Sequence, residues 1–450
     1  MTGADWATPE NAGLFTDLYE LTMMQAYQAE GLFEPAVFDL FFRRLPAERN
    51  YLIAAGLDTA LAYLENLHFP PASIDYLASL DTFSPAFLDY LAAFRFTGEV
   101  RAVAEGTPVF ADEPIVEIKA PLPEAQLAET FLLNQLHFQT LMASKAARVV
   151  EAARGRTVVD FGARRMHGAD AALKAARAFY IAGVDATSNV LAGQVYGLPV
   201  SGTMAHSYIE AHDDEAAAFA AFAAQYPETV LLVDTYDTLA GVRTVADLAR
   251  QWGDRFRVRA IRLDSGDLGQ LAAESRRILD TAGLEGVGIF ASGSLDEYAI
   301  ADLVARDTPI DGFGVGTHMG VSADRPFLDS AYKLVAYAGE PRMKLATRKV
   351  TLPGEKQIYR VTDGNGHYAG DTLATADEPH PGGTALLQTV MRDGQRTQSA
   401  SLDNARAHAQ AERERLPTPC RALTATDPYP VATSDQLAEL TRALRRRLSS

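Results

Sequence analysis

A single cysteine, Cys420, serves all 450 residues, so no intrachain disulfide can form and no cysteine-rich zinc site can be assembled. Positive charge is also in deficit: 41 lysines and arginines stand against 58 aspartates and glutamates, a net charge of −17. That balance excludes a surface built as a whole to attract nucleic acid or anionic membrane, and an anionic ligand has to be met by a local basic cluster. No stretch approaches roughly 20 uninterrupted apolar residues, which leaves no helix able to span a bilayer. The opening residues MTGADWATPENAG are acidic and broken by proline and glycine, without the basic start and apolar run of a secretory signal. These absences predict a cytoplasmic protein in a reducing compartment. The nucleotide fingerprint GxxxxGK[ST] is missing as well.

What is present is a globular balance, 48% hydrophobic and 22% charged residues, in a chain long enough for two domains. Between Thr157 and Gly320 a short β-branched stretch runs repeatedly into a polar, glycine-rich turn: TVVDFGARR, VSGTMAHS, VLLVDTYDT, AIRLDSGDLG, GIFASGSLD and DGFGVGTHMG. Asp234 and Asp264 lie 30 positions apart, and Asp264 and Ser292 lie 28 apart. Amphipathic helical patterns fill the gaps, which is the strand-helix alternation of a parallel sheet. The fold class expected is α/β: an irregular α/β barrel over 136–334, with a second α+β domain built from 1–135 and a late β segment at 335–400, and a helical segment at 401–450. The late strands, with hairpin signals at Asp363-Gly364 and Asp393-Gly394, would complete the first domain's sheet. One long helix is expected over 124–153.

In such an alternation the carboxyl ends of the strands share one face, and that face carries the chemistry. It would gather Arg164, His206, Asp234, Arg262, Asp264 and two glycine turns. His206 follows the strand expected through VSGTM and could transfer protons or attack phosphorus. Arg262 and Asp264 point to one side of their strand. They form either an internal salt bridge or an arginine fork for a carboxylate beside an acid for a ribose hydroxyl or Mg²⁺. Asp237 reads as a helix N-cap more readily than Asp234. The turns around Ser292-Gly293-Ser294 and Gly312-Phe313-Gly314-Val315-Gly316-Thr317 could cradle a phosphate with backbone N–H groups, or simply turn the chain. Phe161, followed by Gly162-Ala163-Arg164-Arg165, offers either a stacking face or core packing.

Read together, these segments resemble nicotinate phosphoribosyltransferase, a type II phosphoribosyltransferase. The resemblance runs almost end to end, through FTDLYELTMMQAY at 15–27, FDLFFRRLP at 38–46, EAQLAETFLLNQL at 124–136 and VVDFGARRMHGADAALKAARAFYIAGVDATSNVLAG at 158–193. It continues through GLPVSGTMAHSYI, IRLDSGDL, FGVGT, YKLV and PGEKQIYR. The resemblance implies that nicotinate and 5-phosphoribosyl 1-pyrophosphate give nicotinate mononucleotide and pyrophosphate, with Mg²⁺ on the pyrophosphate and ATP as co-substrate. It implies a phosphohistidine at His206, Arg262 on the nicotinate carboxylate, and Asp264 near ribose and Mg²⁺. Phe161 and Tyr19, the latter from a neighbouring subunit, would sandwich the pyridine ring, with Asp185 and Thr203 lining the base pocket. Gly293, Gly314 and Gly316 would lie near ribose and phosphate, and Arg43 and Lys333 with the phosphate groups. A homodimer with the active site at the subunit interface is implied. The stretch 317–322 departs from the family's pattern, and a chain with one cysteine cannot form the metal knuckle of some relatives.

Two neighbouring readings remain open at this point. Nicotinamide phosphoribosyltransferase shares the fold and the histidine, and Asp185 could accept a hydrogen bond from an amide. A non-catalytic nucleotide-binding relative would be expected to have lost His206, Arg262 or Asp264, which are all present. A shorter quinolinate enzyme works without ATP, and a barrel isomerase or aldolase acting on a sugar phosphate usually needs a Schiff-base lysine or a metal-ligand set at the strand ends, where the six strand ends offer no lysine.

Overall fold

The computed structural model describes residues 7–346, 349–379, 382–398 and 400–449; the first six residues of the acidic opening stretch lie outside it. The chain divides into two compact units, Met142–Pro326 on one side and Met1–Leu141 with Phe327–Ser450 on the other. Among the described residues no helix is long and apolar enough to cross a membrane.

The Met142–Pro326 unit is an α/β unit built on six parallel strands: β1 Thr157–Asp160, β2 Ala186–Thr187, β3 Val230–Leu232, β4 Ala260–Leu263, β5 Gly288–Ser292 and β6 Gly312–Val315. Their order in the sheet is β2-β1-β6-β5-β4-β3. Val158, Leu231, Ile261, Ile289 and Phe313 are all essentially inaccessible, because a parallel strand covered on both faces has no polar side to show. Three of the aspartates that close the polar turns start the next helix. Asp237 accepts from Ala240 N at 2.7 Å to cap Thr238–Trp252, Asp267 from Gln270 N at 3.0 Å to cap Leu268–Thr281, and Asp296 from Ala299 N at 2.8 Å to cap Glu297–Ala305. Each satisfies an N–H that has no partner inside its helix.

The strand expected through VSGTM is a single parallel bridge, Val200 with Thr187, with Ser201 N donating to the Thr187 carbonyl at 3.0 Å. Side chains, not a ladder, tie the rest of that segment to β4 and to the loop after β3: Arg262 donates to Thr203 Oγ1 at 2.7 Å, and His206 Nδ1 hydrogen-bonds with Thr235 Oγ1 at 3.1 Å. A glycine and two hydroxyl residues in the segment give a pleated ladder little to pack.

The other unit centres on a seven-stranded antiparallel sheet in the order Glu340–Pro341, Ser330–Tyr337, Pro35–Phe42, Pro114–Pro121, Glu99–Ala102, Gln388–Arg392, Gln395–Arg396. Only part of the late β segment enters it. Lys356–Thr362 and Tyr368–Thr375 form a hairpin at Asp363-Gly364 in a separate four-stranded sheet with Thr384–Ala385 and Val431–Thr433. The last fifty residues are therefore not purely helical. Their strand Val431–Thr433 pairs in parallel with Asp371–Leu373, because this β-branched edge offers a free ladder that the helices Leu402–Glu414 and Asp435–Ser449 cannot fill. The helix expected over 124–153 is two, Leu122–Leu127 and Glu129–Ala153, the first opening on proline.

Candidate active site

The carboxyl ends of β1, β4, β5 and β6, with the loop after β2 and the bridged segment before His206, surround a cleft of about 770 Å³. Arg164, Arg165 and Arg262 line it together with His206 and His318, and its one lining carboxylate among the described residues is Asp264. In a chain of net charge −17, this is the local basic cluster that an anion requires.

The floor is set by Phe161 and Gly314. Phe161 N donates to the Val315 carbonyl at 2.8 Å, and a methyl group added at Gly314 would stand 2.4 Å from the Phe161 ring. The ring therefore lies directly on the β6 backbone, which only glycine allows. The Arg262 guanidinium sits 5.9 Å from the Phe161 ring centroid, so a planar face and a cation occupy the same end of the cleft.

Arg262 makes no ion pair with Asp264 in this arrangement. Its Nη1 donates to Thr203 Oγ1 at 2.7 Å and its Nη2 to the Met204 carbonyl at 3.2 Å, while its buried Nε has no partner. Burial lowers its pKa somewhat, with Asp264 and Asp234 opposing that shift. The guanidinium is thus aimed by neutral acceptors and keeps its charge for the cleft.

Behind His206 runs a relay of acids and hydroxyls. Asp264 Oδ2 is 4.0 Å from His206 Nε2, and Asp264 Oδ1 accepts from Ser292 Oγ at 2.5 Å. Asp234 Oδ2 accepts from Asp264 N at 2.9 Å and from Ser265 Oγ at 2.7 Å. Gly293 completes the turn at φ 89°, where an added methyl would stand 1.9 Å from the Asp264 carbonyl oxygen. The His206 imidazole, 40% exposed, thus stands between Thr235 and Asp264 in the lining of the cleft.

The structure brings together Phe161, Arg164, Thr203, His206, Arg262, Asp264, Ser292, Gly293, Gly314, Gly316 and Thr317. Three others belong to the other compact unit, Asp185 falls outside the lining, and Asp234 is re-assigned. Tyr19, half-exposed on helix Leu18–Glu30, belongs to the other unit, as do Arg43, which pairs with Asp329 at 3.4 Å, and Lys333, which pairs with Glu129 at 3.4 Å. Asp185 does not line the cleft: its Oδ2 accepts from Val158 N at 2.9 Å, at the amino end of β1. The cause is register, since Asp185 precedes the two-residue strand β2 and so falls at the end opposite the cleft. Asp234 shapes the Asp264-Ser265 turn and is not part of the lining.

Two residues of the site escaped sequence reasoning. Ser188, just after β2, lines the cleft. Asp160, fully buried at the end of β1, accepts from Gly162 N and Thr187 Oγ1, both at 2.8 Å, and so fixes the Phe161-Gly162 turn. Burial pushes its carboxyl up to about 6, and those two hydrogen bonds limit the rise. Its signal in the sequence was the last polar residue of the strand TVVD, immediately before the turn.

The fold and this cleft define an α/β enzyme that assembles its site from the carboxyl-end loops of a parallel sheet. The comparisons narrow that class. Models of the nicotinate phosphoribosyltransferase N-terminal domain, of the family itself and of its C-terminal domain match residues 14–137, 157–340 and 383–441. A nicotinate phosphoribosyltransferase of Mycobacterium tuberculosis is 54% identical over 433 residues, covering 95% of this chain and 93% of that protein. One from Bacillus subtilis is 43% identical over 378 residues, covering 82% and 77%. The crystal structure of human nicotinic acid phosphoribosyltransferase superposes with a TM-score of 0.84 at 31% identity, over 95% of this chain and 99% of that one. The chain belongs to the nicotinate phosphoribosyltransferase family.

Proposed function

We propose that this chain transfers a phosphoribosyl group to nicotinate in NAD biosynthesis, coupled to ATP hydrolysis through His206. The observation that carries the reading is the cleft itself, where an aromatic face on bare β6 backbone lies beside a preset guanidinium and an open histidine. Nicotinate's ring stacks on Phe161 with its carboxylate toward Arg262. The ring nitrogen attacks C1 of 5-phosphoribosyl 1-pyrophosphate, the C1–O bond breaks, and pyrophosphate leaves with the bonding electrons. The transition state is oxocarbenium-like, so alignment of the two substrates and neutralisation of the leaving group carry the rate. The turns at Ser292, Gly293, Gly314, Gly316 and Thr317 hold ribose and phosphate, and Arg164 faces the anionic end.

In the coupled step an imidazole nitrogen of His206 attacks the γ-phosphorus of ATP, ADP leaves, and water later returns the phosphate to solution. Mg²⁺ would supply charge neutralisation for the pyrophosphate, and Asp264 is the cleft carboxylate that would meet it. Among the described residues no group of three or more histidines, cysteines or acids would hold a metal, a donor set that suits an ion held chiefly by phosphate oxygens and water. The site is completed in a homodimer by Tyr19 of the partner subunit, with Arg43 and Lys333 serving phosphate groups. A cytoplasmic setting is part of the same proposal, in keeping with a chain that carries one cysteine.

Nicotinate is favoured over nicotinamide because Asp185, the acid that would accept from an amide, faces the amino end of the sheet, while arginines line the cleft. The test is product formation by the purified protein with phosphoribosyl pyrophosphate and Mg²⁺, offering nicotinate or nicotinamide with and without ATP. Nicotinate mononucleotide formed faster with ATP supports the reading. A preference for nicotinamide, or no product from either base, overturns it.

A further inference from the structure

Two turns that line the cleft, 292–295 after β5 and 316–318 after β6, leave the sheet separately, because the β5–β6 ladder ends at Ser292 and Gly314. Beyond that point an ion cluster joins the chain that follows each turn. Lys145, on helix Glu129–Ala153 with its side chain 2% exposed, donates to Glu297 Oε2 at 2.5 Å and to Asp324 Oδ1 at 2.7 Å. Glu297, wholly buried, is the first residue of helix Glu297–Ala305, two positions past the first turn. Asp324 stands six positions past His318. Arg148, one helical turn along from Lys145, gives Nε to Glu297 Oε1 at 2.9 Å and Nη2 to the Tyr298 hydroxyl at 2.9 Å. Burial would raise the Glu297 carboxyl, but the Lys145 charge and the hydrogen bonds from Lys145 and Arg148 outweigh it and hold the group below its ordinary value.

A buried ion cluster is a poor source of stability, since apolar side chains of similar volume often serve as well. Its distinctive property is direction. One ammonium with three donors can hold carboxylates from two different loops at a fixed separation. We propose that Lys145 is a positioning residue: by bridging Glu297 and Asp324 it sets the spacing of the turns 292–295 and 316–318, and with it the fit of the phosphoribosyl pyrophosphate they receive. This rests on the function proposed above, in which those turns take ribose and phosphate while nicotinate lies on Phe161.

Two variants test it: Asp324→Asn, which releases the second turn at a side chain 23% exposed, and the double variant Lys145→Met/Glu297→Gln, which removes the bridging ammonium together with the buried carboxylate it holds. Calorimetric titration with Mg²⁺ and phosphoribosyl pyrophosphate, free of base and ATP, reads the substrate directly, and KM is measured for both substrates. In folded variants with near wild-type melting temperature, phosphoribosyl pyrophosphate is expected to bind about tenfold more weakly, with its KM raised alike, because small misplacements of binding groups are costly. The KM for nicotinate should move less than about threefold. Equal losses for the two substrates, or unchanged titrations in both variants, would overturn the positioning role. A wild-type chain that bound phosphoribosyl pyrophosphate but turned over another base would sink the nicotinate reading and leave the titration decisive for Lys145, whereas one that bound none would sink both.

Discussion

His206 and Arg262 are held by different kinds of neighbour, and their variants should fail differently. The imidazole is 40% exposed and touches Thr235 and the region of Asp264, so His206→Ala should cost little stability. It should abolish ATP hydrolysis and acid-labile phosphate on the protein; ATP-stimulated turnover surviving in that variant would remove His206 from the coupling step. Arg262 is aimed by Thr203 and Met204 and leaves its charge for a ligand. Arg262→Ala should weaken nicotinate by about 1.5–3 kcal/mol, the worth of a hydrogen bond to a charged group, and phosphoribosyl pyrophosphate by clearly less. Steady-state constants for the two substrates check this, and equal losses would make Arg262 a structural residue. At this scale the sequence singled out residues that the structure brings to one cleft, among them His206, Arg262, Gly314 and Gly316. It was misleading at Asp185, because whether an aspartate faces the cleft or the opposite end depends on the register of a two-residue strand, which no pattern of residue types reveals.

At the scale of elements, the tie between β1 and β2 gives a pH dependence whose sign can be worked out. Asp160 is wholly buried with its carboxyl pushed up to about 6, against an ordinary value near 3.9. Between those two values the folded chain binds the proton that the unfolded chain has released, so stability falls as pH rises through that window and stays lower above it. The loss is on the order of 1–3 kcal/mol. Asp160→Asn keeps an acceptor for Gly162 N and removes the titration. Denaturant unfolding from pH 4.5 to 8 should therefore show a decline in the native chain relative to the variant, and parallel curves would mean that Asp160 is not neutralised on folding. The elements themselves were largely legible, since β-branched runs ending in capping aspartates announce strand and helix together, as at Asp237, Asp267 and Asp296. The segment VSGTM was not, because its apolar start matches a strand locally while its partners, the Thr187 backbone and the Arg262 side chain, come from elsewhere in the chain.

For the whole molecule, long-range pairing is the part that sequence pattern conveyed least. Strand Pro35–Phe42 pairs with Ser330–Tyr337 almost 300 residues later, and Val431–Thr433 reaches back to Tyr368–Thr375. Residue pattern alone cannot name a strand's neighbour, and Val431–Thr433 falls in a segment expected to be helical. A shared site between subunits is the corresponding prediction about assembly. Phe161 and Tyr19 lie in different compact units, and if the ring of nicotinate is held between Phe161 of one protomer and Tyr19 of the partner subunit, neither single alanine variant should turn over well by itself. Mixed and allowed to exchange subunits, Phe161→Ala and Tyr19→Ala chains form heterodimers in which one site has both defects and the other has neither. Random exchange makes half of the dimers mixed, so about a quarter of all sites, and of wild-type activity, should return. If Tyr19 instead serves the site of its own chain, every site in the mixture keeps one defect and the mixture stays as inactive as its components, so the recovered activity reads directly which chain supplies the second ring.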